Sequence, residues 1–254
     1  MKVIADIQYS QVSPACLLDI CLPDHTDTFP TLIYFHGGGL EEGDKKYFSA
    51  MKKYLTERGV AVVSANYRMY PQARFPEFIS DAAQCVAWVL EHMKEYGNPG
   101  KLYVSGSSAG GYLTMMLCYN KTYLESAGVR QDQIAGYIHD AGQPTSHFNV
   151  LREKGIDSRR IIVDETAPLF FVGLEKEYRP SLIIVSDDDM VNRYEQTMVF
   201  MRTLNHFGYD ESRTELKVMH GKHCAYVRAV DENGVSVFGP ILYDYIQKQE
   251  ANPR

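Results

Sequence analysis

Short apolar runs alternate with helical patterns along most of this chain. The runs are rich in apolar residues and lie at 31–35, 60–65, 102–105, 134–140, 180–185 and 215–219. Runs of this kind predict strands, and those at 31–35 and 60–65 predict strands that are buried in the sheet, the first of them on both faces. Between them, apolar residues three and four positions apart predict helices at 45–58, 76–93, 192–207 and 238–249. This alternation predicts the α/β class, with a mostly parallel sheet and helices on both faces.

Two further strands are predicted near the start of the chain, at 2–8 and 15–21, as an antiparallel hairpin. They bring the predicted sheet to eight strands. We find no linker or internal repeat, so residues 1–254 are interpreted as one domain. The periodicity weakens at 143–180, a stretch too long for a simple connection. We interpret it as a small cap inserted over the site; one crossover helix with long loops is the alternative.

The stretch Gly106-Ser107-Ser108-Ala109-Gly110 lies between an apolar run and a helical pattern. Strand, Gly-x-Ser-x-Gly turn and helix are the context of the nucleophile elbow, which holds its central serine exposed at a sharp turn. Ser108 is that serine. Its hydroxyl is a weak nucleophile unless a base accepts its proton. Small residues also occur in such turns for packing alone, so the motif needs partners elsewhere in the chain.

A second glycine-rich loop, His36-Gly37-Gly38-Gly39, directly follows the run at 31–35. Glycines let backbone N–H groups approach a ligand without side chains in the way. Such donors can hold the negative charge that develops on a carbonyl oxygen, as in an oxyanion hole. Alone, the loop is equally compatible with simple flexibility. Upstream of a Gly-x-Ser-x-Gly turn, it favours an acyl-transfer site.

The combination resembles the α/β-hydrolase superfamily, and most closely its hormone-sensitive-lipase-like and small, acetyl esterase-like carboxylesterases. The stretch 66–71, with Phe75-Pro76 and Asp81 after it, matches the same family. We expect Arg68 and Asp81 to pair and to hold this segment in place. The resemblance implies an α/β-hydrolase fold and backbone donors from Gly37 and Gly38. Ala109, the residue after the nucleophile, supplies the third donor by the elbow rule.

The acid of the site is sought after the strand at 180–185, where Asp187, Asp188 and Asp189 are adjacent. The fold places its acid and its histidine beyond the carboxyl ends of later strands, in the order serine, acid, histidine. In the family the acid precedes an apolar residue by two positions, and Asp189 fits that spacing. Asp187 is the second candidate and Asp140, at the end of an earlier strand, the third.

The base is sought in His220-Gly221-Lys222-His223, which follows the last predicted strand. The family spacing from a glycine to its histidine favours His223, although the match is one residue short, and His220 remains the alternative. His36 is expected to hold its own loop. His147 lies in the predicted cap, where contact with substrate is expected.

Composition excludes several classes of function. The formal net charge is −6, from 32 acidic and 26 basic residues, which argues against nucleic-acid or anionic-membrane partners. The 5 cysteines lack a disulfide-framework spacing, and the first residues contain no long apolar run. We therefore expect a cytoplasmic protein. No second ligand cluster accompanies the aspartates, so neither a metal nor a cofactor is predicted.

Together these features predict a serine carboxylesterase that acts on small-molecule esters with short acyl chains, including acetylated sugars. The glycine loop begins at residue 36, which leaves little room for an N-terminal cap over a large lipid. An amidase, peptidase or aryl formamidase on the same residues is the enzymatic alternative. An inactive hydrolase that serves as a binding module is the remote one. A homodimer is left open.

Overall fold

An eight-stranded sheet in the order β1-β2-β4-β3-β5-β6-β7-β8 runs through the protein in the computed structural model, which describes residues 1–251. β2 is antiparallel to β1 and β4, and the other neighbours are parallel. The predicted α/β class, with its mostly parallel sheet and N-terminal antiparallel hairpin, is confirmed. The strands are Lys2–Gln8 (β1), Leu17–Leu22 (β2), Thr28–Phe35 (β3), Ala61–Ala65 (β4), Asn98–Ser107 (β5), Ile134–Asp140 (β6), Ser181–Asp188 (β7) and Thr214–Lys222 (β8).

Helices cover both faces of the sheet. They are Ser49–Thr56 (α1), Glu77–His92 (α2), Ala109–Tyr119 (α3), Thr122–Ser126 (α4), Phe148–Glu153 (α5), Arg193–His206 (α6) and Phe238–Ala251 (α7). Alternate residues of a strand point to opposite faces. Accordingly, Ile33 and Phe35 of β3 join the core cluster with α2, α3 and α6. Leu32 and Tyr34 join the cluster with α1 and α7 on the other face.

Two predicted boundaries are wrong. The helix predicted at 45–58 begins only at Ser49, because Phe48 adopts a left-handed backbone with φ of 71°. The strand predicted at 102–105 begins earlier, because Asn98 already pairs with Thr28 of β3 although Asn98-Pro99-Gly100 has the composition of a turn. In both cases contacts with distant residues prevail over local propensity.

The segment between β6 and β7 contains α5 and a 3₁₀ turn at Pro168–Phe171. It contacts the glycine loop, because the side-chain amide of Asn149 donates to the carbonyl oxygen of Gly39 over 2.9 Å. The interpretation of 143–180 as a cap remains a prediction. The predicted pair of Arg68 and Asp81 is confirmed, with guanidinium–carboxylate distances of 2.8–3.2 Å.

No helix within residues 1–251 is long and apolar enough to cross a membrane. In the same part of the chain, no group of three or more His, Cys, Asp or Glu side chains is arranged to hold a metal ion.

Candidate active site

Ser108 lies at the sharp turn between β5 and α3, with φ of 55° and ψ of −113°. A positive φ is costly for a residue with a side chain and persists only where the surroundings impose it. The flanking glycines allow it: a Cβ on Gly106 would lie 2.5 Å from the Gly110 carbonyl carbon, and one on Gly110 would lie 2.1 Å from the Phe35 carbonyl oxygen. The backbone N–H of Ser108 donates to the carbonyl oxygen of Asp140 over 2.7 Å.

The structure brings Ser108, His223 and Asp189 into one hydrogen-bonded chain. Ser108 Oγ lies 2.8 Å from Nε2 of His223. The other ring nitrogen, Nδ1, lies 2.5 Å from Oδ1 of Asp189. Ser108 and His223 are half-buried, whereas the Asp189 side chain is fully buried. An acid behind the imidazole fixes its tautomer so that Nε2 can accept the serine proton.

The surroundings of Asp189 keep it ionised. Burial opposes its charge, but the hydrogen bond and the charge of His223, together with donors from the Met190 and Ser186 backbones, lower its pKa below the usual value. Those backbone bonds measure 2.7 Å and 3.2 Å. A carboxylate that accepts several hydrogen bonds favours its ionised form.

Asp187 and His220, the alternative acid and base, form a separate pair. Their carboxylate and Nδ1 lie 2.5 Å apart, and the Gly221 backbone also donates to Asp187. The His220 side chain is 95% exposed and that of Asp187 is 43% exposed. This pair lies at the surface rather than against Ser108.

Asp140, the third candidate acid, lies behind the elbow instead of behind the histidine. Its fully buried carboxylate accepts hydrogen bonds from the hydroxyls of Ser107 and Tyr226. Burial raises its pKa to about 6, against the effect of those two hydrogen bonds. Asp140 therefore joins the segment before Ser108 to the segment that follows His223.

The glycine loop packs directly against the elbow. A Cβ on Gly37 would lie 2.9 Å from the Ser107 carbonyl oxygen and 3.1 Å from the Ser108 Cβ. His36 holds the loop as expected: Nδ1–H donates to the Gly37 carbonyl oxygen over 2.7 Å, and the ring stacks on Tyr67. Burial lowers the pKa of His36 and keeps its ring neutral. No side chain separates Gly37 from Ser108, which is the condition for backbone donors to reach a bound carbonyl.

An open cavity of about 1050 Å³ lies in front of Ser108 and His223. Its walls include the glycine loop, Phe148 and the side chains of Tyr47, Phe48 and Arg228. The sequence offers no pattern that singles out these last three, because they meet only through the fold. The expected contact of His147 with substrate is not supported, since this ring is 1% exposed and packs between Tyr112 and Phe148. The neighbouring Phe148 lines the cavity instead.

The order of the strands, the elbow, and the hydrogen-bonded serine, histidine and aspartate place the protein in the class of the α/β-hydrolases. Comparison with protein families agrees, because the model of the BD-FAE family matches residues 18–150, just over half of the chain. The chain belongs to the BD-FAE family.

A curated relative is the "Probable carboxylic ester hydrolase LipM" of Mycobacterium tuberculosis, 35% identical over 116 residues, which cover 44% of this chain and 27% of LipM. The chain spans less than a third of the length of the first curated relatives it matches.

Solved structures match over nearly the whole chain. A truncated carbohydrate esterase from gut microbiota has a TM-score of 0.79 at 18% identity, with 99% of this chain and 97% of that chain covered. The propionate-bound esterase Est2 of Thermogutta terrifontis has a TM-score of 0.76 at 21% identity, with 100% and 96% covered. At such identities the likeness establishes the α/β-hydrolase fold.

Proposed function

We propose that this protein is a serine carboxylesterase in which Ser108 is the nucleophile, His223 the base and Asp189 the orienting acid. The observation that carries the proposal is the continuous chain from Ser108 Oγ to Nε2 over 2.8 Å and from Nδ1 to Asp189 over 2.5 Å. It faces an open cavity next to a glycine loop. A paired serine and imidazole beside preorganised backbone donors is the arrangement that acyl transfer requires.

In the proposed reaction, His223 accepts the Ser108 proton while Ser108 Oγ attacks the ester carbonyl carbon. The backbone N–H groups of Gly37, Gly38 and Ala109 hold the resulting oxyanion, and each such donor is typically worth about 3 kcal/mol in the transition state. Protonated His223 then gives its proton to the departing alcohol. A water molecule, deprotonated by the same ring, releases the acid from the acyl-enzyme.

We further propose small esters with short acyl groups as substrates, with acetylated sugars among them. Support comes from the open cavity and from the ligands and names of the structural neighbours, one bound to propionate and one described as a carbohydrate esterase. The cytoplasmic location remains a proposal too, supported by the five unpaired thiols within residues 1–251. An amidase on the same residues is separated from an esterase by rates on matched ester and amide substrates.

The proposal is tested with Ser108→Ala and the neighbouring Ser105→Ala. Wild-type protein is expected to react with a fluorophosphonate probe and to hydrolyse p-nitrophenyl acetate. Ser108→Ala is expected to lose both the labelling and the hydrolysis. Ser105→Ala is expected to keep both, because it retains Ser108. Full esterase activity in Ser108→Ala overturns the assignment. Failure of the folded wild type to label supports an inactive binding module instead. A series from acetate to octanoate then tests the preference for short acyl groups.

A further inference from the structure

Arg228 forms part of the wall of the cavity that contains Ser108. Its guanidinium carbon lies 4.1 Å from the centre of the Tyr47 ring and 5.5 Å from that of Phe48. Phe48 is fixed in turn, because its ring packs edge-on against the fully buried Tyr34 with centroids 4.9 Å apart. A guanidinium stacked on aromatic rings loses less freedom on binding than a free lysine would.

The hydrogen-bonding capacity of this guanidinium is unused. Within residues 1–251, Arg228 has no ion-pair partner and no hydrogen-bond acceptor. The residue is exposed, so a ligand can reach it. By contrast, Arg152 is neutralised by Glu41, a residue of the cavity wall, at 2.8 Å. The planar fork of an arginine matches a carboxylate with two parallel hydrogen bonds.

The cavity wall carries both negative and positive charge. Glu42 also lines it and lies beside the glycine loop, where its Cγ would be 3.1 Å from a Cβ on Gly38. Arg228 instead follows His223 on the segment that includes Ala225 and Val227 of the wall. The departing alcohol must face Nε2 of His223 to receive its proton. His223 and Arg228 are five residues apart on one segment of the cavity wall, and this shared segment is our ground for placing the alcohol part of the ester beside Arg228.

We propose that Arg228 is a substrate-specificity residue that binds a carboxylate on the alcohol part of the ester. This inference rests on the proposed esterase function. The fork donates two hydrogen bonds to the carboxylate, while Tyr47 and Phe48 hold the guanidinium in position. An ester without that negative charge lacks the contact and is a poorer substrate for this site.

The test compares two substrates that differ in one charge, 4-acetoxybenzoate and 4-acetoxybenzamide. The ratio of their kcat/KM values is measured in wild type, Arg228→Gln, Arg228→Lys and, as a matched control, Arg152→Gln. The ratio cancels effects that are common to both substrates, such as changes in the chemical step or in the fraction of folded enzyme. We expect Arg228→Gln to lower the ratio about tenfold, which is the effect of ~1.4 kcal/mol. Arg228→Lys should restore part of it, and Arg152→Gln should leave it unchanged. The wild-type ratio should also fall as salt increases.

An equal ratio in wild type and Arg228→Gln overturns the subsite, even if both esters are hydrolysed well. A drop in the ratio caused by Arg152→Gln to the same extent also overturns it, because the effect is then one of general charge. Failure of the proposed function has a different outcome: neither ester is hydrolysed and Ser108 does not react with the fluorophosphonate probe.

Discussion

The hydroxyl of Ser107 donates to the carboxylate of Asp140, directly behind Ser108, the proposed nucleophile. The same hydroxyl lies 2.6 Å from that of Tyr34. The other carboxylate oxygen of Asp140 accepts from Tyr226, three residues after His223. A fully buried acid thus connects the serine segment with the histidine segment, at the cost of a charge that the interior disfavours.

Asp140→Asn is expected to stabilise the protein above pH 6. Because burial raises the pKa of Asp140 from 3.8 to about 6, the folded state holds this proton more tightly than the unfolded chain does. The contribution of Asp140 to the free energy of unfolding therefore falls as pH rises from about 4 to about 6 and stays low above that. Asparagine carries no charge, its amide oxygen still accepts from one of the two hydroxyls, and its NH₂ group can donate to the other. The gain is at most ~3 kcal/mol at pH 8 and near zero at pH 4.

Urea unfolding of wild type and Asp140→Asn across this pH range measures the difference. Asp244→Asn, which removes an exposed carboxylate on α7, is the matched control and should show no such pH dependence. A stability difference that does not change between pH 4 and pH 8 would contradict the prediction.

Asp189→Asn and Asp187→Asn form a pair that separates the two adjacent acids. Asp189 is buried against His223, whereas Asp187 pairs with exposed His220. Loss of the acid that orients the imidazole typically lowers kcat by about 10⁴-fold. We expect that loss of kcat for Asp189→Asn. For Asp187→Asn we expect kcat to change by about twofold or less, because this substitution alters an exposed pair that contributes little energy. Steady-state rates on p-nitrophenyl acetate measure both, and the reverse order would assign the acid to Asp187.

Local patterns predicted the parts of the site that a short stretch determines. The elbow at Gly106–Gly110 and the loop at His36–Gly39 each depend on glycines next to a buried strand, and both signals lie within five residues of sequence. The choice between Asp187 and Asp189 depends on the register of β7 with β8, where Asp188 lies opposite Lys222. No local pattern contains that register, so spacing alone could only rank the acids.

The walls of the cavity could not be predicted for a related reason. Tyr47 and Phe48 follow the glycine loop, whereas Arg228 is 180 residues further along the chain, and only the order of the strands brings them together. The same holds for Lys45, which the sequence suggested as the start of a helix. Its side chain turns inward to Asp19 of β2, and the helix begins later.

Gly37→Ala is expected to lower kcat by displacing the proposed oxyanion donor from the elbow. The new Cβ would lie 2.9 Å from the Ser107 carbonyl oxygen and 3.1 Å from the Ser108 Cβ, so loop and elbow must separate by a few tenths of an ångström. Removing one oxyanion donor typically costs 10²–10³-fold in kcat, so we expect about 10²-fold when the proposed Gly37 donor is displaced. Gly128→Ala is the control. Its φ of +77° strains an added side chain, but nothing lies within 4 Å of the new Cβ, so no neighbouring group is displaced. Equal losses of kcat in both variants would contradict the prediction.

Lys45→Met is expected to destabilise the protein by about 3–5 kcal/mol, because it leaves a buried carboxylate without its partner. The Lys45 side chain is 1% exposed, and Nζ lies 2.5 Å from the carboxylate of Asp19, whose side chain is 7% exposed. Nζ also lies 2.7 Å from the exposed Asp6. Lys46→Met, at the exposed neighbouring position, should change stability by less than about 0.5 kcal/mol. Urea unfolding at pH 7 measures both. Combining Lys45→Met with Asp19→Asn should recover part of the lost stability, because the uncompensated charge is then removed. A double variant no more stable than Lys45→Met would show that the loss of stability does not come from the Asp19 charge.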